Sequence, residues 1–197
     1  ILDGLGRLEY RGYDSAGLSI IDNKELITVK RSGKLTNLEL ALNDYPMEGN
    51  IGIGHIRWAT HGAPNHINAH PHLSNDKNIA VVHNGIIENF QELKQDLEKE
   101  GYHFISSTDT ELIAVLIEKY YENDLLEAVQ KARKDLKGSY ALGVIAQSEP
   151  ERLICVRCES PIILGLGEGE FIVASDIPSI LKYTKNLVYL ENGDLLD

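Results

Sequence analysis

The sequence has little of what marks an exported, membrane-bound or nucleic-acid-binding protein. Of 197 residues only two are cysteine, one is tryptophan and three are phenylalanine, and basic side chains number 19 against 30 acidic ones. The net charge of -11 repels nucleic-acid phosphates and anionic lipid headgroups, so neither nucleic acid nor a membrane surface is expected as a partner. There is no Asn-x-Ser/Thr site, no signal-peptide pattern and no run of about 18 apolar residues, which reads as a chain of a reducing, cytoplasmic compartment. No repeat, low-complexity tract or interdomain linker interrupts it. A 43% hydrophobic content over this length suffices for one full core, so residues 1–197 are expected to form a single domain.

The two cysteines lie in Leu153-Ile154-Cys155-Val156-Arg157-Cys158, an apolar stretch that reads as a strand. Successive side chains of a strand point to opposite faces, so residues three apart face away from each other and a redox or metal-binding pair is disfavoured. Both thiols are expected to be buried and unreactive.

Leu2, Leu5 and Leu8 recur at helical spacing, which predicts helix over residues 1 to about 9. The pattern is already under way at Ile1, and the element is expected to start upstream. Residues 17–21 and 26–29 are β-branched runs around Asp22-Asn23-Lys24, the pattern of a hairpin. Residues 51–56 and 78–82 read as two further strands bracketing a loop rich in His, Asn and Pro, long enough to carry function. Two or three helices follow: 88–100, with Phe90, Leu93 and Leu97 inward and Gly101 as its stop; 108 to about 122, opened by a capping-box spacing at Thr108-Asp109-Thr110-Glu111; and 124–137, stopped by Gly138. Strands at 140–145, 153–156, 162–164, 171–174 and 187–190 close the chain, with Asn192-Gly193 as a hairpin turn. The last strand is expected to be cut short, with a further domain after it. Runs of strands separated by a run of helices imply antiparallel sheets with the helices outside them, an α+β fold rather than a doubly wound parallel sheet.

Three segments bring chemistry-bearing residues in a fixed order: Leu8-Glu9-Tyr10-Arg11-Gly12-Tyr13-Asp14-Ser15-Ala16-Gly17, then His55-Ile56-Arg57-Trp58-Ala59-Thr60-His61-Gly62, then His83-Asn84-Gly85. Together they resemble the glutaminase domain of the glutamine:fructose-6-phosphate aminotransferases, and the resemblance spans essentially the whole chain. It implies the four-layer αββα sandwich of N-terminal-nucleophile hydrolases, two antiparallel sheets between helical layers. It also implies attack on glutamine by an N-terminal cysteine through a thioester, release of glutamate and ammonia, and use of that ammonia to convert fructose 6-phosphate to glucosamine 6-phosphate. A C-terminal sugar isomerase domain and a homo-oligomer belong to that scheme, and neither metal nor organic cofactor does. The sequence has no N-terminal cysteine, so the nucleophile is expected on a Cys-Gly-bearing strand upstream of Ile1. Related amidotransferases that act on phosphoribosyl pyrophosphate carry His and Gln where this chain has Tyr10 and Tyr13. The first motif therefore favours the sugar-phosphate family, with the phosphoribosyl pyrophosphate one as an alternative.

A site for glutamine or glutamate holds a zwitterion at the α-carbon while the side-chain amide is attacked several bonds away. That requires a cation, an anion and donors for an oxyanion. A guanidinium binds a carboxylate through two parallel hydrogen bonds, and Arg57, directly after a strand, is the candidate for the α-carboxylate; by itself it fits a structural ion pair equally well. Asp109 stands in the first turn of a helix, where an acid can simply cap free amides; the resemblance implies that it receives the α-ammonium. Asn84-Gly85 is by itself a common turn signal, whereas the resemblance implies an oxyanion hole made of the Asn84 side-chain amide and the Gly85 N–H, where a missing Cβ admits close approach. Trp58 alone fits a core anchor; the resemblance implies a lid over residues 57–65 with Trp58 gating ammonia, and positions near the ligand for Thr60, His61 and His70. Two other functions use part of this set. A glutamine- or glutamate-binding module without turnover needs only Arg57 and Asp109. A metal-dependent amidohydrolase would draw on His66, His70 and His72, whose spacing can chelate zinc, and leaves the other motifs without a role.

Overall fold

Asn23 and Lys24, with φ of 48° and 68°, turn the chain between β1 (Ser15–Asp22) and β2 (Glu25–Ser32). Two central residues in this conformation match the right-handed twist of the flanking strands, so the expected hairpin forms in register from Asp22 opposite Glu25 to Ser15 opposite Ser32. β3 (Ile51–Arg57) pairs antiparallel with the other side of β1, giving the order β2-β1-β3. The computed structural model describes the chain apart from residues 44–46 and 59–64. Two helices cover the outer face of this sheet. α1 (Leu2–Gly6), followed by a short 3-10 turn at Glu9–Arg11, and α2 (Leu35–Asn43) bury Leu5, Leu35 and Leu38 against Ala16, Leu18 and Val29. The first helix is thus shorter than the leucine spacing suggests. α2 has no counterpart in the sequence reading; its apolar period at Leu35, Leu38 and Leu42 runs over too few residues to stand out.

The second layer is a five-stranded antiparallel sheet, order β11-β7-β6-β5-β4. It comprises β4 (His72–Leu73), β5 (Ile79–Ile87), β6 (Gly138–Ala146), β7 (Glu149–Cys158) and β11 (Leu195–Leu196). Strand alternation sorts its side chains. Ile79, Val81, Leu142, Val144, Ile154 and Val156 point to one face, onto which α4 (Asp109–Tyr120) and α5 (Leu125–Asp135) pack Leu112, Ile113, Leu116, Ile117, Leu125 and Val129, with Leu97 of α3 (Phe90–Lys99) beside them. Each fully buried side chain of this size contributes about 1.5–3 kcal/mol relative to exposure, so this face dominates the stability of the fold.

Ala80 and Ile145 point to the opposite face and meet Ile21 and Ile53 of β1 and β3; Ala141 and Cys155 on that face meet Ile162 and Leu164 instead. Those last residues introduce a third sheet, order β10-β8-β9, made of β8 (Ile163–Leu166), β9 (Phe171–Ala174) and β10 (Leu187–Tyr189). Both three-stranded sheets therefore rest on one face of the five-stranded sheet. The layering is helix, sheet, sheet, helix, the α+β αββα sandwich expected, with one of its two sheet layers divided between two ladders. β3 and β9, each an edge strand of its ladder, both line the opening between the ladders. Cys155 and Cys158 take opposite faces of β7, as their spacing predicts: one lies between the sheets, the other against the helix-side core. Cys158 is half-buried rather than buried. Among the described residues no helix is long and apolar enough to cross a membrane.

Candidate functional site

The division between β3 and β9 opens into a cleft of about 1140 Å³ floored by residues of β5, β6 and β7. Arg57, Trp58, His70, Asn84, Gly85 and Asp109 all border it. Thr60 and His61 lie outside the described residues.

Alternation along β3 puts Ile53, His55 and Arg57 on the face toward the five-stranded sheet. Arg57 is only 6% exposed, and its Nη1 lies 3.8 Å from the Asp14 carboxylate. Asp14 is fixed in turn: its N–H donates to the Arg57 carbonyl at 2.9 Å, and Ser15 Oγ donates to its Oδ1 at 2.7 Å. The Asp14-Ser15 part of the first motif thus carries the arginine. A guanidinium has more N–H donors than one carboxylate takes up, so an ion pair with Asp14 and a role at the cleft are compatible.

Asp109 is not the helix cap. Thr108 is, accepting from the Glu111 N–H at 3.4 Å, while the Glu111 carboxylate reaches back to the Ile105 and Ser106 N–H groups at 3.0 and 2.6 Å. That frees the Asp109 carboxylate from capping; its Oδ2 accepts from the Ile87 N–H at 2.9 Å and its Oδ1 lies 3.7 Å from His83 Nδ1. α4 is thereby tied to the end of β5.

Asn84-Gly85 forms no turn. β5 continues through both residues, Asn84 opposite Ala141 and Gly85 opposite Tyr140. Gly85 has φ +129°, and a Cβ there would come within 1.9 Å of the Ser139 carbonyl oxygen, so conformation and space both exclude a side chain. Asn84 shares the face of Ala80 and Val82 and points between the layers.

Trp58 is 67% exposed and anchors no core. Its indole lies against Gly12, where an added Cβ would sit 1.3 Å from Trp58 Cε3. The turn that carries Gly12 is latched to the segment after β9: the Tyr10 hydroxyl donates to the Asp176 carboxylate, and Arg11 Nη1 donates to Ser175 Oγ at 3.3 Å.

Behind these residues stand four histidines, of which the sequence reading tied only His70 to glutamine. His55 stacks on His70 with ring centroids 4.3 Å apart, and His70 meets His72 edge-on at 5.1 Å. Thr110 Oγ1 lies 3.2 Å from His70 Nε2 and 3.1 Å from His83 Nδ1, and Thr108 Oγ1 lies 3.0 Å from His72 Nε2. Burial lowers the pKa of all four, His55 to about 4 and His72 to about 3, so the rings are neutral at pH 7. The zinc reading has no ligand set among the described residues: threonine hydroxyls engage the ring nitrogens of His70 and His72, and His66 is exposed. His55 and His83 also border the cleft, and the sequence reading gave neither a role. Their signals were available in the β3 alternation that groups His55 with Arg57 and in the adjacency of His83 to Asn84.

The profile of the glutamine amidotransferase domain family matches residues 56–182. A glutamine–fructose-6-phosphate aminotransferase (isomerizing) of Aquifex aeolicus is 55% identical over 197 residues, 100% of this chain and 33% of that protein. The one from Clostridium perfringens is 53% identical over 196 residues, 100% of this chain and 32% of that protein. The chain thus spans about a third of the length of the curated relatives it matches. Among solved structures, the glutamine phosphoribosylpyrophosphate amidotransferase from B. subtilis aligns with a TM-score of 0.85 at 27% identity, over 98% of this chain and 43% of that one. A glutamine aminotransferase class-II domain protein from Silicibacter pomeroyi, at a TM-score of 0.66 and 15% identity over 92% of this chain and 85% of that one, shares the fold alone. The layering is accordingly that of the N-terminal-nucleophile hydrolase type found in such amidotransferases.

Proposed function

The chain belongs to the glutamine amidotransferase domain family, and from that premise we propose that it hydrolyses the side-chain amide of glutamine in the cleft, supplying ammonia for conversion of fructose 6-phosphate to glucosamine 6-phosphate. The observation that carries this reading is the convergence of Arg57, Asp109, Asn84 and Gly85 on one cleft. Arg57 takes the α-carboxylate and Asp109 the α-ammonium. At the far end, the Asn84 amide and the Gly85 N–H face the amide oxygen as it becomes an oxyanion, where one such donor lowers the barrier by about 2.7–4 kcal/mol. Trp58 covers the bound amino acid and excludes water, and His70 supports the wall from below; by resemblance Thr60 and His61 also contact the ligand.

By family resemblance the nucleophile is the thiol of an N-terminal cysteine, which is not among these 197 residues. Neither cysteine among the described residues suits the role: burial pushes the Cys155 thiol up to about 12, and Cys158 faces the other side of β7. The thiol, its proton taken by an adjacent amine, attacks the amide carbon; ammonia departs with that proton, and water cleaves the thioester to glutamate. Identity of 53–55% to the fructose 6-phosphate relatives, against 27% to the phosphoribosyl pyrophosphate one, supports the sugar phosphate as acceptor. A C-terminal sugar isomerase domain, homo-oligomeric assembly and a cytoplasmic setting follow from the same reading.

Glutamate release from glutamine by the full natural polypeptide tests it. Arg57→Ala and Asp109→Asn each raise the KM for glutamine about 10- to 100-fold, the worth of a hydrogen bond to a charged group. Unchanged KM values in both variants would sink the proposal, and glutamine binding without glutamate release in the parent protein would leave a binding module.

A further inference from the structure

An asparagine serves an oxyanion only when its NH2, not its C=O, faces the reacting atom. The two ends of the amide are nearly the same size, so packing does not choose between them and a hydrogen bond has to. Asn84 on β5 looks between the layers, and the group it meets there is on β3: His55 Nε2 lies 2.8 Å from Asn84 Oδ1. We propose that His55 is the positioning residue of the oxyanion hole, donating its Nε2–H to Asn84 Oδ1 and so holding the Asn84 NH2 toward the glutamine amide oxygen. The proposal rests on the glutamine-hydrolysis reading of the cleft.

The surroundings of the ring select that tautomer. His55 Nδ1 is buried and has no hydrogen-bond partner among the described residues. With the proton on Nε2, the bond to Asn84 forms and only a lone pair is left unmatched at Nδ1. With the proton on Nδ1, a buried N–H would have no acceptor, a rarer and costlier defect, and Asn84 would have to turn its NH2 inward. The ring is also kept from turning, because it stacks on His70. His70 is itself pinned: its Nδ1 accepts from the His83 N–H at 3.4 Å and its Nε2 lies against Thr110. Burial keeps His55 neutral down to about pH 4, so above that pH the ring carries a single N–H.

The test is a double-mutant cycle on glutamate release by the full natural polypeptide, read as kcat and KM separately. His55→Leu fills the space and cannot donate; it lowers kcat about 10- to 100-fold with the KM for glutamine within about 3-fold. His55→Gln places an amide N–H near the position of Nε2 and recovers most of that loss. Asn84→Ala loses about 100-fold or more on its own, and His55→Leu in the Asn84→Ala background then changes kcat by less than about 2-fold, because the group through which it acts is gone. A full multiplicative loss in the double variant overturns the proposal while leaving the oxyanion hole intact; an Asn84→Ala variant as fast as the parent overturns the hole itself. A measurement on the unmutated protein covers the case in which His55→Leu does not fold: side-chain nitrogen NMR finds His55 protonated at Nε2 and bare at Nδ1, and the reverse tautomer refutes the assignment.

Discussion

β5 and β3 carry the two halves of the site and are held in different ways. β5 runs between β6 and β4, and its far face is sealed by α4 through Ile79 and Val81, both fully buried. Among the described residues β3 pairs only with β1, and its other edge faces the cleft. Asn84 and Gly85 stand on the first, with Asp109 on the helix behind it; Arg57 and Trp58 stand at the end of the second. Donors for a developing charge help most when they need no rearrangement, whereas the groups that grip and cover an entering ligand have to give way and return. On the proposed reading, the division of one sheet layer into two ladders lets one fold supply both. Asn84 is the point of contact, seated on the rigid strand and steered from the other by His55.

Acid should break the junction between the two strands before it breaks either alone, and this is the largest effect expected. A histidine whose folded pKa is depressed binds its proton more readily in the unfolded chain. The stability it contributes is complete above the unfolded value near 6.5 and is lost as pH falls toward the folded value, about 4 for His55 and about 3 for His72. Each fully buried ring costs up to about 1.4 kcal/mol per pH unit inside that window. His70, His72 and His83 are all buried, so the slope of unfolding free energy against pH between about 6 and 5 should exceed that of two histidines. Urea titrations at several pH values measure it. A flat profile would show the cluster to be charged or open.

A cavity in each half gives the next effect in size. Ile113, fully buried between α4 and the five-stranded sheet, should lose about 2–5 kcal/mol on Ile113→Ala. Ile56 of β3 is half-buried at the edge of the smaller core, and Ile56→Ala should cost less than half as much. Urea midpoints decide this, and equal losses would mean that the divided layer is no softer than its neighbour.

How much of this could be read beforehand follows the same boundary. The helices from 88 to 137 and the strands packed on them announce themselves, because Leu112, Ile113, Leu116 and Ile117 form one apolar stripe and their ends carry Thr108, Asp124 and glycine signals. α2 and β4 stay hidden because they are short. The division of the strands into three ladders has no local signature either, since pairing joins residues far apart in sequence. Single residues at the site are legible by type, Arg57 as a cation and Gly85 as a gap, but not by partner. Nothing adjacent to Arg57 names Asp14, and nothing adjacent to Asn84 names His55; both pairings exist only once β1, β3 and β5 are brought together.

The smallest effect separates holding the site from holding the fold. Tyr10 is 68% exposed, and its hydroxyl ties the turn bearing Gly12 to Asp176. Tyr10→Phe keeps the ring and removes the tie, so the melting temperature should move by no more than about 2 °C, as for most surface substitutions. The indole of Trp58 rests on Gly12, and it is the sole tryptophan of the chain, so its fluorescence reports on this corner alone. With the tie removed, Trp58 should become more accessible to a neutral quencher such as acrylamide, while Ile113→Ala, far costlier to the fold, should leave its quenching unchanged below the unfolding transition. Quenching that followed stability across the two variants would mean that the covering side of the cleft is no looser than the helix-backed sheet, and the contrast between the two strands would fail at its most exposed point.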